Sequence, residues 1–160
     1  MKPALLKACL PAAALATLLT ACATPPQPWA DNLIVPGERI GDVQLGMPLS
    51  NLLAARGTPL RTVPISGTEA TTYAFDGLAV GAHETVYWII AKDPRYRTPA
   101  GVGPGVEQIA ARAAYGKPRC VVSEGATTVY DYKDFYFSVD NSTGKVSEVG
   151  VQKKTHTCDD

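Results

Sequence analysis

The chain has 160 residues, enough for one ordinary domain that can bury a core without staples. Fifteen basic residues balance fifteen acidic ones, and losing Lys2 and Lys7 with a leader peptide would leave 13 against 15. No basic field exists to draw nucleic acid or anionic lipid.

Residues 1–7 carry Lys2 and Lys7, and 8–19 follow without a charge, the layout of a secretory leader. A span of twelve residues is too short for a transmembrane helix, which needs roughly 20. Leu19-Thr20-Ala21-Cys22 resembles the lipobox of bacterial lipoproteins. The resemblance implies cleavage before Cys22, a diacylglycerol on the Cys22 thiol and an acylated new amino group. Because Ala23 is not an aspartate, it also implies sorting to the outer membrane, with the chain facing the periplasm. The competing reading is an ordinary export signal cut after Ala23. Pro25, Pro26 and Pro28 then favour an extended tether, which spans about 20 Å over six residues at 3.3–3.6 Å each. Cys9 leaves with the leader and Cys22 carries lipid, so Cys120 and Cys158 remain, and in an exported chain they are expected to pair as a disulfide. A metal site on His156 and Cys158 competes with that reading but lacks further ligands nearby. No metal and no cofactor is expected.

Further along, Gly46, Gly57 and Pro59 recur 59 residues later as Gly105, Gly116 and Pro118, and Val43 recurs as Val102. Ala70-Thr71-Thr72 returns as Ala126-Thr127-Thr128 at an offset of 56, a change that a hairpin loop absorbs cheaply. Each half is expected to open on a glycine turn and a short helix, near 49–56 and 106–115, with Gly57 and Gly116 as C-caps and a proline two residues on. Strands are expected at 60–65, 71–75, 78–81 and 85–91, and again at 119–123, 127–132, 135–139 and 145–152. Asp76-Gly77 and the run 140–144 read as hairpin turns. The predicted class is α+β: two tandem helix-plus-antiparallel-sheet repeats, sheets side by side, helices packed on one sheet face. The predicted organisation is a signal peptide at 1–21, a lipidated cysteine and Pro-rich tether at 22–33, and repeats at 34–97 and 98–160.

Gly41, Val43, Leu45, Gly46, Met47, Leu52, Leu53, Gly57 and Pro59, in a lipobox-bearing chain, resemble the module of small outer-membrane lipoproteins of the SmpA/OmlA (BamE-like) type. The tandem form is similar to the β-lactamase inhibitor protein fold, in which two units make a concave sheet that grips a partner. The second copy departs from the module, with Pro104 and Val106 where the first has Leu45 and Met47. The resemblance implies a scaffold that binds proteins, assists outer-membrane assembly or inhibits enzymes, and a fold alone selects none of these.

Catalytic chemistry finds little to work with. The only histidines are His83, on a predicted loop, and His156, in the tail. Ser50, Ser66 and Ser123 lack a nucleophile-elbow frame, and Asp131, Asp134 and Asp140 fall on different faces or in turns. The glycines at 101, 103 and 105 do not continue into a phosphate loop. Aromatic residues are more informative. Strand alternation with Ile89, Ala91, Val149 and Val151 inward sends Trp88 outward. Taking Val129 as inward sends Tyr130 and Tyr132 outward beside Tyr136, with Tyr73, Phe75, Phe135 and Phe137 toward the core. Trp88, Tyr130, Tyr132 and Tyr136 would then form a protein-binding patch for an envelope protein, or else cross-strand pairs that stabilise the sheet. The function expected is a non-enzymatic, membrane-anchored binding or scaffold module of the cell envelope. The alternative is an inhibitor of a β-lactamase, protease or lysozyme, or a peptidoglycan binder.

Overall fold

Eleven strands and two helices make up residues 31–152, the part of the chain that the computed structural model describes. β1 (Ile34–Val35), β2 (Arg39–Ile40) and β3 (Val43–Gln44) form a small antiparallel sheet, followed by α1 (Leu49–Arg56). Four strands come next: β4 (Arg61–Pro64), β5 (Thr71–Phe75), β6 (Leu78–Ala82) and β7 (Val86–Ala91). After α2 (Gln108–Tyr115) come β8 (Cys120–Glu124), β9 (Thr127–Asp131), β10 (Phe135–Asp140) and β11 (Lys145–Gln152).

The expected class, two tandem helix-plus-sheet repeats, is corrected by the strand pairing. The long strands form one continuous eight-stranded sheet, in the order β4-β5-β6-β7-β11-β10-β9-β8. Its centre is the antiparallel pair β7–β11, in register as Val149 with Ala91 and Val151 with Ile89. Two separate sheets would each have left an apolar strand as an open edge, and pairing removes both edges. The second sheet present is the three-stranded one at 34–44, which the repeat scheme did not contain. Its strands are two residues long, below what alternation can reveal.

What does recur at both positions is local. Neither helix has a side-chain N-cap. Instead, hairpin carbonyls take the first amides, which otherwise lack acceptors. The Leu49 amide donates to the Glu84 carbonyl at 2.9 Å, and the Gln108 amide to the Gly144 carbonyl at 2.9 Å. Just before them, the Gly46 and Gly105 amides donate to the carbonyls of Val86 and Val146, each at 2.7 Å. Gly57 and Gly116 end the helices at φ 73° and 70°, where a Cβ would be strained.

Direct cross-strand partners share a sheet face. One face therefore collects Phe75, Leu78, Val80, Ile89, Ala91, Phe135, Phe137, Val149 and Val151, all buried. Leu52 of α1 and Ala111 of α2 are the buried residues of the helices, and they join this core with Ile34, Ile40 and Val43 of the small sheet. At the first helix, Arg56 bridges Asp42 at 2.7 Å and donates to the Tyr96 hydroxyl at 3.3 Å, tying α1 to the small sheet. Buried Arg39 holds Asp31 through two hydrogen bonds of 2.8 and 3.0 Å and donates a third to the Gly41 carbonyl. That fork fixes the start of the described chain with planar, bidentate geometry.

Candidate protein-binding face

The opposite face of the eight-stranded sheet faces away from the helices and the small sheet. Reading across it at the level of β7, Ala74, Ala79, Ile90, Gly150, Tyr136 and Asp131 pair in sequence, ending on Cys120. One step along the strands, Thr72, Gly81, Trp88 and Gln152 make a second row. Over the two rows the residues of β5 and β6 are small or glycine and β11 contributes Gly150, so the middle of the face is a shallow trough bordered by Gln152.

Two large rings lie in that trough. A Cβ added to Gly81 would clash with the Trp88 indole, and one added to Gly150 would clash with the Tyr136 ring. Each ring thus packs against the backbone of the neighbouring strand, the close approach that an interior strand glycine permits. Both rings remain partly accessible along one side. Burial raises the Tyr136 hydroxyl well above the ordinary tyrosine range, and the nearby Glu148 carboxylate pushes it the same way. Glu148 accepts from Ser138 at 3.4 Å and meets Lys92 at 3.5 Å, so a polar edge borders the apolar trough.

Of the four aromatics expected to share a patch, Trp88 and Tyr136 lie together on this face. Tyr130 and Tyr132 do not, and the expectation is corrected for both. Tyr130 is 6% exposed, pairs directly with Phe137 and stacks on it at 5.2 Å. Its hydroxyl accepts from the Gln108 side chain, and the Arg112 guanidinium sits 5.6 Å from its ring centre. Tyr132 stacks on Phe135 at 5.2 Å and donates to the Gly116 carbonyl at 3.1 Å. Tyr115 of α2 reaches Phe135 at 4.6 Å, which completes an aromatic cluster beneath that helix. Val129, taken as inward, pairs with Ser138 on the open face. A tyrosine ring removes more apolar area from water than a valine, and α2 supplies its hydroxyl with a partner. The platform glycines Gly81 and Gly150 were missed. The signal that could have found them is a glycine inside an otherwise apolar stretch of strand.

His83 is exposed on the β6–β7 loop, 3.8 Å from Glu69. Among the described residues, no group of three or more His, Cys, Asp and Glu is placed to hold a metal ion. Among them, too, no helix is long and apolar enough to cross a membrane. Cys120 is disulfide-bonded, while Cys22, His156 and Cys158 lie outside the described residues, as do the leader and the Pro-rich tether.

No family model matches the chain, and no curated protein matches it. Three solved structures share its fold. The Escherichia coli protein yfeY aligns with a TM-score of 0.54 at 12% identity, covering 74% of this chain and 98% of its own. A Staphylococcus aureus protein described as a cysteine-rich secretory protein aligns with a TM-score of 0.52 at 17% identity, over 79% of this chain and 49% of that one. A Bacillus anthracis protein, described as extracellular and containing an SCP domain, aligns with a TM-score of 0.50 at 14% identity, over 68% and 43%. This chain therefore spans less than half the length of the latter two.

These findings correct the assignment to the SmpA/OmlA (BamE-like) lipoproteins in a tandem form like the β-lactamase inhibitor protein, since none of the three is described as either. They also correct the localisation and attachment expected from the N-terminus. A periplasm-facing outer-membrane position, an envelope protein as partner and a lipid anchor on Cys22 find no counterpart in neighbours described as extracellular and secretory.

Proposed function

We propose that this chain is an exported, non-catalytic domain that acts outside the cell by binding a protein on the open face of its eight-stranded sheet. The observation that carries the reading is the pair of rings, Trp88 and Tyr136, packed against Gly81 and Gly150 in a trough of small residues. Rings fixed in this way lose little freedom on binding, which is what makes tryptophan and tyrosine effective anchors. A partner's protruding apolar loop fits such a trough, with Lys92, Glu148 and Gln152 at its border.

In its finer form the partner is an enzyme that the domain blocks: a β-lactamase, a protease or a lysozyme. A blocking protein needs only a shaped surface and no chemistry of its own. The test combines a photoreactive side chain at position 88 with an activity panel. Crosslinking in the culture should give one protein adduct from position 88 and none from Ile109, which is 83% exposed on the far side of α2. The identified adduct should lose activity on titration with the purified domain. Equal adduct patterns from both positions overturn the binding face. A clean adduct whose activity is untouched overturns inhibition alone.

A further inference from the structure

We propose that the partner segment seated on the open face is an extended, proline-bearing stretch in the polyproline II conformation, its proline against Trp88 and Tyr87 and an acidic residue three positions away at Arg61. The inference rests on the binding reading above and names the chemistry that the same face selects.

The floor of the trough sets the kind of backbone that can lie on it. Across β5, β6 and β7 the open face carries Thr72, Ala74, Ala79, Gly81 and Ile90 beside Trp88, none of them charged. These three strands are interior to the sheet, so their amides and carbonyls are taken up by their neighbours. Apart from the Thr72 hydroxyl, the floor therefore offers an incoming amide no acceptor. A peptide N–H pressed onto such a surface loses its water and gains no partner, which is costly. Proline has no N–H to lose, and a polyproline II segment makes no internal hydrogen bonds that docking would have to break.

The rings set where the proline goes. Gly81 pairs with Trp88 and Ala82 with Val86, which leaves Tyr87 as the extra residue of a bulge in β7. The Tyr87 ring centre stands 6.1 Å from that of Trp88 with the planes at 87°, a separation that puts both rings on the open side of the strand. Both residues are partly exposed, so the right-angled corner between them is open to solvent. Proline-rich segments dock on aromatic-lined surfaces of this kind. The Trp88 indole N–H makes no hydrogen bond among the described residues, and a proline segment brings a carbonyl to it.

Charge sets the second anchor. Arg61 of β4 pairs with Ala74, and Ala74 with Ala79, so Arg61 stands on the open face at the outer end of the floor. It is exposed and forms no ion pair among the described residues, whereas Lys92 at the other border already meets Glu148 at 3.5 Å. From Gly81, against which the Trp88 ring packs, to Arg61 is two strand spacings, about 9.5 Å, and one two-residue step, about 7 Å. The diagonal is about 12 Å. In polyproline II, residues three apart share a side and lie about 9 Å from each other, and the long arginine side chain spans the remainder. A glutamate or aspartate three residues from the docked proline is therefore the complement of Arg61, joined to it by charge-assisted hydrogen bonds.

The test needs no knowledge of the natural partner. The purified domain is titrated with a fluorescently labelled polyproline peptide carrying one central glutamate, and with the same peptide carrying glutamine there, and binding is followed by anisotropy. The glutamate peptide should bind about two- to fivefold more tightly, the range of an exposed ion pair. Arg61→Ala, on an exposed edge strand, should erase that preference and leave the glutamine peptide unaffected, while Trp88→Ala should abolish the binding of both. Equal affinities for the two peptides, or a preference that survives Arg61→Ala, overturn the proposal. So does the absence of binding by either peptide, and in that case a specific protein adduct from position 88 would still uphold the open face as the binding surface.

Discussion

On the covered face of the large sheet, Tyr130 and Tyr132 stack on Phe137 and Phe135, and their hydroxyls end on α2. On the open face, Trp88 and Tyr136 lie across glycines on the neighbouring strands. The same kind of residue thus does opposite work on the two faces of one sheet. Beneath α2 the rings fill space between layers, and their polar ends are absorbed by the helix. On the open face no described helix takes up the ring surface, and only glycines make room for it. What separates a structural aromatic from a binding one in this sheet is the neighbour across the strand, a ring in one case and a glycine in the other.

The largest test of that difference is in the covered layer. Phe137 is fully buried between two tyrosines, and Phe137→Ala should destabilise the domain by about 3–5 kcal/mol. Urea unfolding measures it, and a shift in midpoint below 1 kcal/mol would break the comparison by showing a core that collapses around the gap. Trp88→Ala should behave in the opposite way. It should cost about 2 kcal/mol or more in partner binding while leaving the unfolding midpoint nearly unchanged. Between the two stands Gly150→Val, which drives the Tyr136 ring off its platform. Overpacking of this kind costs about 1–3 kcal/mol in stability, and the variant should also alter the near-ultraviolet circular dichroism that the fixed ring produces.

The eight long strands and both helices were legible in the sequence within a residue or two, because alternation, hairpin turns and C-cap glycines are local signals. Which strands would be neighbours was not. The pairing of Ile89 with Val151 is a contact across more than 60 residues that no local pattern carries. The small sheet was invisible for another reason: Ile34, Ile40 and Val43 sit on strands too short to alternate, and they are ordered by tertiary bonds such as the one from the Ile34 amide to the Arg97 carbonyl. At the candidate site, alternation from Ile89 placed Trp88 on the open face. Alternation from Val129 fails because aliphatic character alone does not decide which residue of β9 faces inward, and a capped tyrosine outweighs it. The platform glycines act only through a partner strand, so they become readable once register is known.

A smaller effect comes from Tyr132→Phe, which keeps the stacked ring and removes its bond to the Gly116 carbonyl. The expected cost is about 0.5–1.5 kcal/mol in stability with no change in binding. Any loss of partner affinity would place Tyr132 in the binding surface after all and erase the distinction between the faces.

The smallest effect concerns what holds the covered side together at low pH. The side-chain hydrogen bonds from Arg39 hold the Asp31 carboxyl below the usual aspartate range, outweighing the effect of burial in the other direction. A group depressed on folding binds its proton more readily in the unfolded chain, so its contribution is complete above the ordinary aspartate value. It fades as pH falls through the lower folded value. Asp31 is about a third exposed, so solvent screens the pair and the gain is modest. Asp31→Asn should therefore lower stability modestly at neutral pH, by an amount that shrinks as pH falls through the lower folded value, which flattens the acid side of the stability profile. Hydrogen exchange at residues 34–44 should rise first on acidification in the wild type, while β6 and β7, which carry Gly81 and Trp88, stay protected. Simultaneous loosening of both regions would mean that the small sheet and the platform open as one unit, and that the two faces are not independent in stability.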